Sequence, residues 1–153
     1  MRILIPAVDS VNALPAVTHA AREFLGGERF EVHLLHVRSP WSPFASRRAA
    51  ERALRPERAL LDRLHIRHWL HVRTGDKAHQ IHDAARRLKA DRIIMGTACH
   101  WSATRLSEDA VIRRVLHSAS IPVTIVSGRS VSPVERYGVA AGLGAAFGLI
   151  LLS

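Results

Sequence analysis

Ten histidines and a single cysteine are the side chains with the most chemistry to offer in this 153-residue chain. Imidazole ligates metals and moves protons near neutral pH, and a thiolate is a nucleophile or a ligand. His79 and His82 stand three apart in a stretch with helical spacing, so they share a face. His33/His36 and His68/His71 are also three apart, but in strand-like runs. Alternation there sends the members of each pair to opposite faces. No cysteine or carboxylate cluster completes a ligand set at zinc-like spacing, so no metal site is expected and the histidines read as surface or partly buried. Cys99 lies beside His100 and Trp101. A reactive thiol needs exposure and a lowered pKa, neither of which the sequence reveals, so Cys99 reads as a bystander and Trp101 as a loop aromatic. Catalytic triads are defined in space rather than by spacing, and no catalytic residue is assigned.

The elements that must position these groups follow from hydrophobic period. Ile3 to Val8 is a short apolar run and reads as a buried strand, although Pro6 is awkward inside a central one. Asn12 to Leu25 has helical spacing and ends at Gly26-Gly27. Glu31 to Val37 is a second strand. Ala45 to Leu64 reads as a basic amphipathic helix in which Pro56 forces a kink or a new start. His68 to Arg73 is a third strand, Thr74-Gly75-Asp76 a turn, and Ala78 to Leu88 a helix. Arg92 to Met95 is a fourth strand stopped by Gly96, Ser107 to His117 a helix, and Pro122 to Val126 a fifth strand. Strands alternating with helices predict a doubly wound, mostly parallel five-stranded α/β sheet with helices on both faces. Ligands of such folds sit beyond the carboxyl ends of the strands near the switch in strand order. The loops after Val8, Val37 and Met95 are therefore the candidates.

Charge is unevenly spread. The formal net charge is +9, and residues 47–75 carry eight arginines against Glu51, Glu57 and Asp62. Such a stripe attracts nucleic acid or anionic lipid. It also fits a solvated helix face in an arginine-rich protein, since only two of the 22 basic residues are lysine. No reader motif or aromatic platform accompanies it, so no specific nucleic-acid partner is expected. One cysteine excludes an intrachain disulfide framework. The opening MRILIPAV has no apolar region of signal-peptide length, so a cytoplasmic body is expected.

After a polar linker, 129–136, the stretch from Tyr137 to Leu152 has no charge. As a helix it would be about 24 Å long, marginal against the roughly 20 residues of a spanning helix. Gly138, Ala141, Gly142 and Ala145 make a small-residue face and Val139, Leu143, Phe147 and Ile150 a bulky one. The expectation is an apolar, helix-like C-terminal tail, 137–153, that attaches to the inner face of a membrane. Docking on its own domain or on a partner is a second reading and disorder a third, although a stretch this apolar does not favour staying solvated.

Three blocks carry a resemblance. They are ILIPAVDSVNA (Ile3 to Ala13), the run from Gly75 through Ile81, Ala85 and Ala90-Asp91 to Ile94-Met95-Gly96, and Ile121-Pro122-Val123-Thr124-Ile125-Val126. Together, over about residues 2–128, they resemble the universal stress protein family. Many members of that family bind ATP through a loop written G-x2-G-x9-G-S/T, in which glycines let backbone N–H groups approach phosphate. Carried over by position, the motif falls on Gly96, Cys99, Asp109 and Ala110, and only the first glycine survives. Cys99 adds a side chain, Asp109 a negative charge and Ala110 no hydroxyl. In the first strand Val8 takes the place of the adenosine-contacting Asp, and Asp9 comes one residue late.

The resemblance then implies a non-catalytic regulatory or stress-response module that acts through protein contacts and needs no cofactor. Members of the family dimerise through the last strand, which implies a homodimer along 122–126. The other reading is an ATP- or AMP-binding sensor using a degenerate crevice at Asp9, Val37, Gly96, Cys99, Asp109 and Ala110.

Overall fold

Each apolar run and each amphipathic stretch becomes an element in the computed structural model, which describes residues 1–7, 10–24, 29–38, 47–97 and 103–127. Val8, Asp9, Cys99, His100, Trp101, the linker 129–136 and the apolar stretch 137–152 lie outside the described residues. The order is β1 (Arg2–Ala7), α1 (Ser10–Phe24), β2 (Glu31–Arg38), α2 (Arg47–Ala53), α3 (Arg55–Arg63), β3 (Arg67–Thr74), α4 (Lys77–Leu88), β4 (Arg92–Thr97), α5 (Ala103–Ser118) and β5 (Val123–Ser127). The strands form one sheet in the order β3-β2-β1-β4-β5, and every pairing in it is parallel.

Alternation along the strands divides the core into two layers. Ile3, Ile5, Val32, Leu34 and Ile94 face α1 and α3, where they meet Ala16, Val17, Ala20 and Leu61. Leu4, Leu35, Val37, Ile93 and Met95 face α4 and α5, where they meet Ile81, Ala85, Val111 and Val115. Both faces of the central strands are covered, which is why they read as continuous apolar runs. Pro6 does lie in the central strand. Its register partner on β2 is Leu35, and the register of β1 with β4 covers only Ile3 with Arg92 and Leu4 with Ile93. A residue without an N–H therefore comes after the β1–β4 ladder has ended.

One expectation is met in its second form and one changes. The basic helix is two helices, because Pro56, near the start of α3, has no N–H to give the carbonyl of Arg52. Gly96 does not stop β4, because β5 lies alongside and pairs Gly96 with Val126 and Thr97 with Ser127. Pro122 precedes β5 proper, yet its carbonyl accepts from the N–H of Ile93 at 2.9 Å.

The turn into α4 shows sequence chemistry working locally. Gly75 has φ of +136°, a conformation open to glycine. Asp76 follows as the N-cap and accepts from the backbone N–H of His79 at 2.9 Å. Its two carboxylate oxygens also take Arg114 of α5 at 2.8 and 3.0 Å. The Arg114 guanidinium first, and the His79 N–H second, hold the Asp76 carboxyl below its ordinary value of 3.8. A depressed carboxylate adds stability above that ordinary value and loses it as pH falls through the lower folded-state value. Asp76→Ala is expected to cost about 1 kcal/mol at pH 7, the usual cost of a lost cap. Urea unfolding at pH 7 and again near pH 3 checks this, with the gap between variant and parent narrowing in acid.

Candidate functional site

β1 sits between β2 and β4, with α1 on one face of the sheet and α4 on the other. The strand order reverses between β1 and β4, and the crevice of a doubly wound sheet opens there, past the carboxyl ends. The β1–β4 register is short, so the two strands are free to separate toward those ends. Val37 is buried near the carboxyl end of β2, and Gly96 is partly buried near that of β4. Of the six residues expected at the crevice, these two are brought to the carboxyl ends of the sheet. Asp9 and Cys99 lie outside the described residues.

Asp109 and Ala110 are placed differently from the loop the motif implies. α5 begins at Ala103, four residues before the expected start at Ser107, so both lie well inside the helix. Backbone N–H groups that deep in an α-helix already donate to the carbonyl four residues earlier. Asp109 is partly buried and Ala110 exposed on that helix. The motif positions 109 and 110 therefore offer no free backbone donors to a phosphate.

Two clusters take shape only in three dimensions. Parallel register sets His33 beside Trp69 and Leu35 beside His71, all on the face that α4 occupies further along the sheet. His33 Nδ1 lies 2.9 Å from His71 Nε2, and the His33 ring stacks on Trp69 at 4.9 Å and 14°. Within each strand the histidine spacing pointed to opposite faces. Only the pairing of β2 with β3 joins one histidine from each. Glu31, bonded to Arg2 at 2.8 Å, is held below its ordinary value first by that bond and also by His33, with burial opposing.

Two imidazoles at this distance share one hydrogen, so one donates and the other accepts. Burial, then the charges of His33, Arg73 and Arg47, push the His71 pKa below its ordinary 6.5. A histidine depressed in the folded state takes up a proton more readily when unfolded. Its contribution is complete above 6.5 and is lost as pH falls from there toward the folded-state value. His71→Gln is expected to flatten the fall in urea midpoint between pH 7.5 and pH 5. An unchanged slope in the variant would remove His71 as its source.

The second cluster lines a groove between α4 and α5. His79 and His82 do share a face there, with Arg113, Arg114 and His117 opposite. Ser118 Oγ lies 2.5 Å from His82 Nε2 and donates to the carbonyl of Arg114 at 2.7 Å. With its hydrogen directed at that carbonyl, the hydroxyl accepts from His82 and is not an activated nucleophile. Among the described residues no group of three or more His, Cys, Asp or Glu is placed to hold a metal ion.

The model of the Universal stress protein family matches residues 1–127. The chain belongs to the universal stress protein family. Solved universal stress proteins share the fold at low identity. A member from Arabidopsis thaliana with AMP bound is 16% identical, with a TM-score of 0.62, and the match covers 85% of this chain and 93% of that one. A member from Archaeoglobus fulgidus in complex with dAMP is 19% identical at a TM-score of 0.60, over 82% and 97% of the two chains. A universal stress protein in complex with cAMP is 14% identical at 0.62, over 83% and 96%. No curated protein matches the chain at a significant level. Within this universal stress protein the fold of the family is kept, while the ATP-loop positions at 99, 109 and 110 carry Cys, Asp and Ala.

Proposed function

We propose that this universal stress protein is a non-catalytic regulatory module that acts through protein contacts as a homodimer paired along β5. The observation that carries the reading is the character of its outer strands. β3 and β5 are the two edges of the sheet. β3 reads RHWLHVRT and holds two arginines, whereas β5 reads VTIVS and holds no charge. Charged edges discourage strand pairing and uncharged apolar ones invite it. Ile125 on β5 is 38% exposed, an apolar side chain that a partner strand would cover. Sedimentation equilibrium of the full chain tests this, with a dimer expected at micromolar concentration and a monomer throughout removing the reading.

A second reading, an adenine-nucleotide sensor, is favoured by the AMP, dAMP and cAMP held by its structural relatives. The crevice past β1 and β4 would be its site, with Val37 and Gly96 at the strand ends beside it. Against it stand the helical placement of residues 109 and 110 and the missing glycines. Calorimetric titration with AMP and with ATP decides between the two, and saturable micromolar binding would establish the sensor.

The apolar stretch 137–152 is proposed to hold the protein to a membrane surface. Among the described residues no helix is long and apolar enough to cross a membrane. Membrane fractionation of the full chain beside a version ending at Ser130 tests the attachment.

A further inference from the structure

The two short helices between β2 and β3 carry opposite characters on two sides. Ala50, Leu54, Glu57 and Leu61 are buried, a stripe at the i, i+4, i+7, i+11 spacing of one helical face. Arg48, Arg52, Arg55 and Arg58 run in step along another face and line one open hollow of about 760 Å³. The break at Pro56 does not scatter them. The N–H of Leu54 still reaches the carbonyl of Ala50 at 3.0 Å, and that of Arg58 the carbonyl of Leu54 at 3.1 Å. The helical direction is thus carried through, and the four arginines span about 15 Å along it at 1.5 Å per residue.

The two acids of the hollow, Glu51 and Asp62, offset part of this charge, but neither forms an ion pair with any of the four. Glu51 is held by Arg47 at 3.1 Å, and Asp62 lies 3.8 Å from His68. Among the described residues none of the four arginines pairs with a carboxylate, and Arg58 Nε is shielded from solvent without an acceptor. Four like charges in a row repel one another, and a shielded N–H without an acceptor is costly. A string of acceptors laid along the row would relieve the repulsion.

We propose that the arginine stripe of α2 and α3 is a binding site for a linear phosphate polymer, held by its phosphates alone. Guanidinium forks match phosphate oxygens in pairs, and a row of them fits a chain better than a single anion. The helices offer no aromatic side chain for bases to stack on, so binding without base preference is the consequence. A lipid surface fits less well, since Ala59 is the one apolar residue lining the hollow and membrane-surface helices insert bulky apolar side chains.

The test titrates the full chain with inorganic polyphosphate, with a single-stranded oligonucleotide and with anionic phospholipid vesicles, each at 50 and 200 mM salt. Arg52→Gln/Arg55→Gln is the variant, and Arg113→Gln on α5 is the control for general charge. The expected result is polymer binding that weakens steeply with salt, with affinity at least about tenfold lower in the double variant and a salt slope smaller by about 2. The control should bind like the parent. Whichever polymer binds names the source of the phosphates. Equal binding by parent and double variant, equal loss in the control, vesicle binding without polymer binding, or no binding at all would each overturn the proposal. Saturating AMP included in a parallel titration keeps this site distinct from the crevice, because competition by AMP would place the polymer there instead.

Discussion

Ile94→Ala is expected to lower the stability of this protein by about 2–5 kcal/mol, the range for emptying a large aliphatic site in a core. Ile94 is 0% exposed on β4 and faces α1, where its neighbours include Ile3, Ile5, Ala16 and Val17. The site cannot close over the loss. β4 is held in the sheet with β1 on one side and β5 on the other, and α1 presents alanines and a stiff valine that do not reach across the gap. The cost therefore combines lost burial with a cavity that persists. Urea unfolding at pH 7 measures it. Leu116→Ala, at a 48% exposed site on α5, serves as comparison and should stay within about 0.5 kcal/mol. A drop below 1 kcal/mol for Ile94→Ala would show that Ile94 is not packed in a two-layer core.

The second large effect concerns association. Ile125→Lys should weaken self-association at least tenfold and leave the unfolding midpoint of the subunit close to that of the parent. A lysine on an outer strand opposes the approach of a second strand, and a partly exposed position accommodates it without burying charge. Trp69→Lys on the opposite edge is the matched control. Trp69 is 43% exposed and stacks on His33, so its loss disturbs β3 and leaves β5 intact. Sedimentation of the three proteins across a concentration series separates the outcomes. A dimer that survives Ile125→Lys but fails with Trp69→Lys would move the interface from β5 to β3.

The agreement between pattern and fold is greatest where one local rule acts. The apolar runs around Leu4, Leu34 and Ile94 announced strands, and they are continuous because both faces of these strands are covered. Gly75 and Asp76 announced a turn before α4 because few other residues satisfy that geometry and cap a helix. Pro56 announced a break because a missing N–H breaks a helix wherever it falls. Gly96 misled, because the end of a strand depends on its neighbour, and β5 supplies one. Glu57, one of the three acids set against the arginines of 47–75, is 1% exposed in the inward stripe of α3. Helical phase, once the break at Pro56 is allowed for, is the signal that could have found it.

What the amino-acid sequence determined alone was the type and order of the elements, the parallel α/β class, the family and the loss of glycines from the ATP motif. Each rests on interactions among residues near one another in the chain or on letters that can be read directly. Strand register and the starting point of α5 were decided only in three dimensions. Register brought His33 of one strand to His71 of the next. The start of α5 set residues 109 and 110 inside a helix, where their N–H groups are already taken. Both depend on which distant segments lie side by side, and one-dimensional spacing holds no record of that.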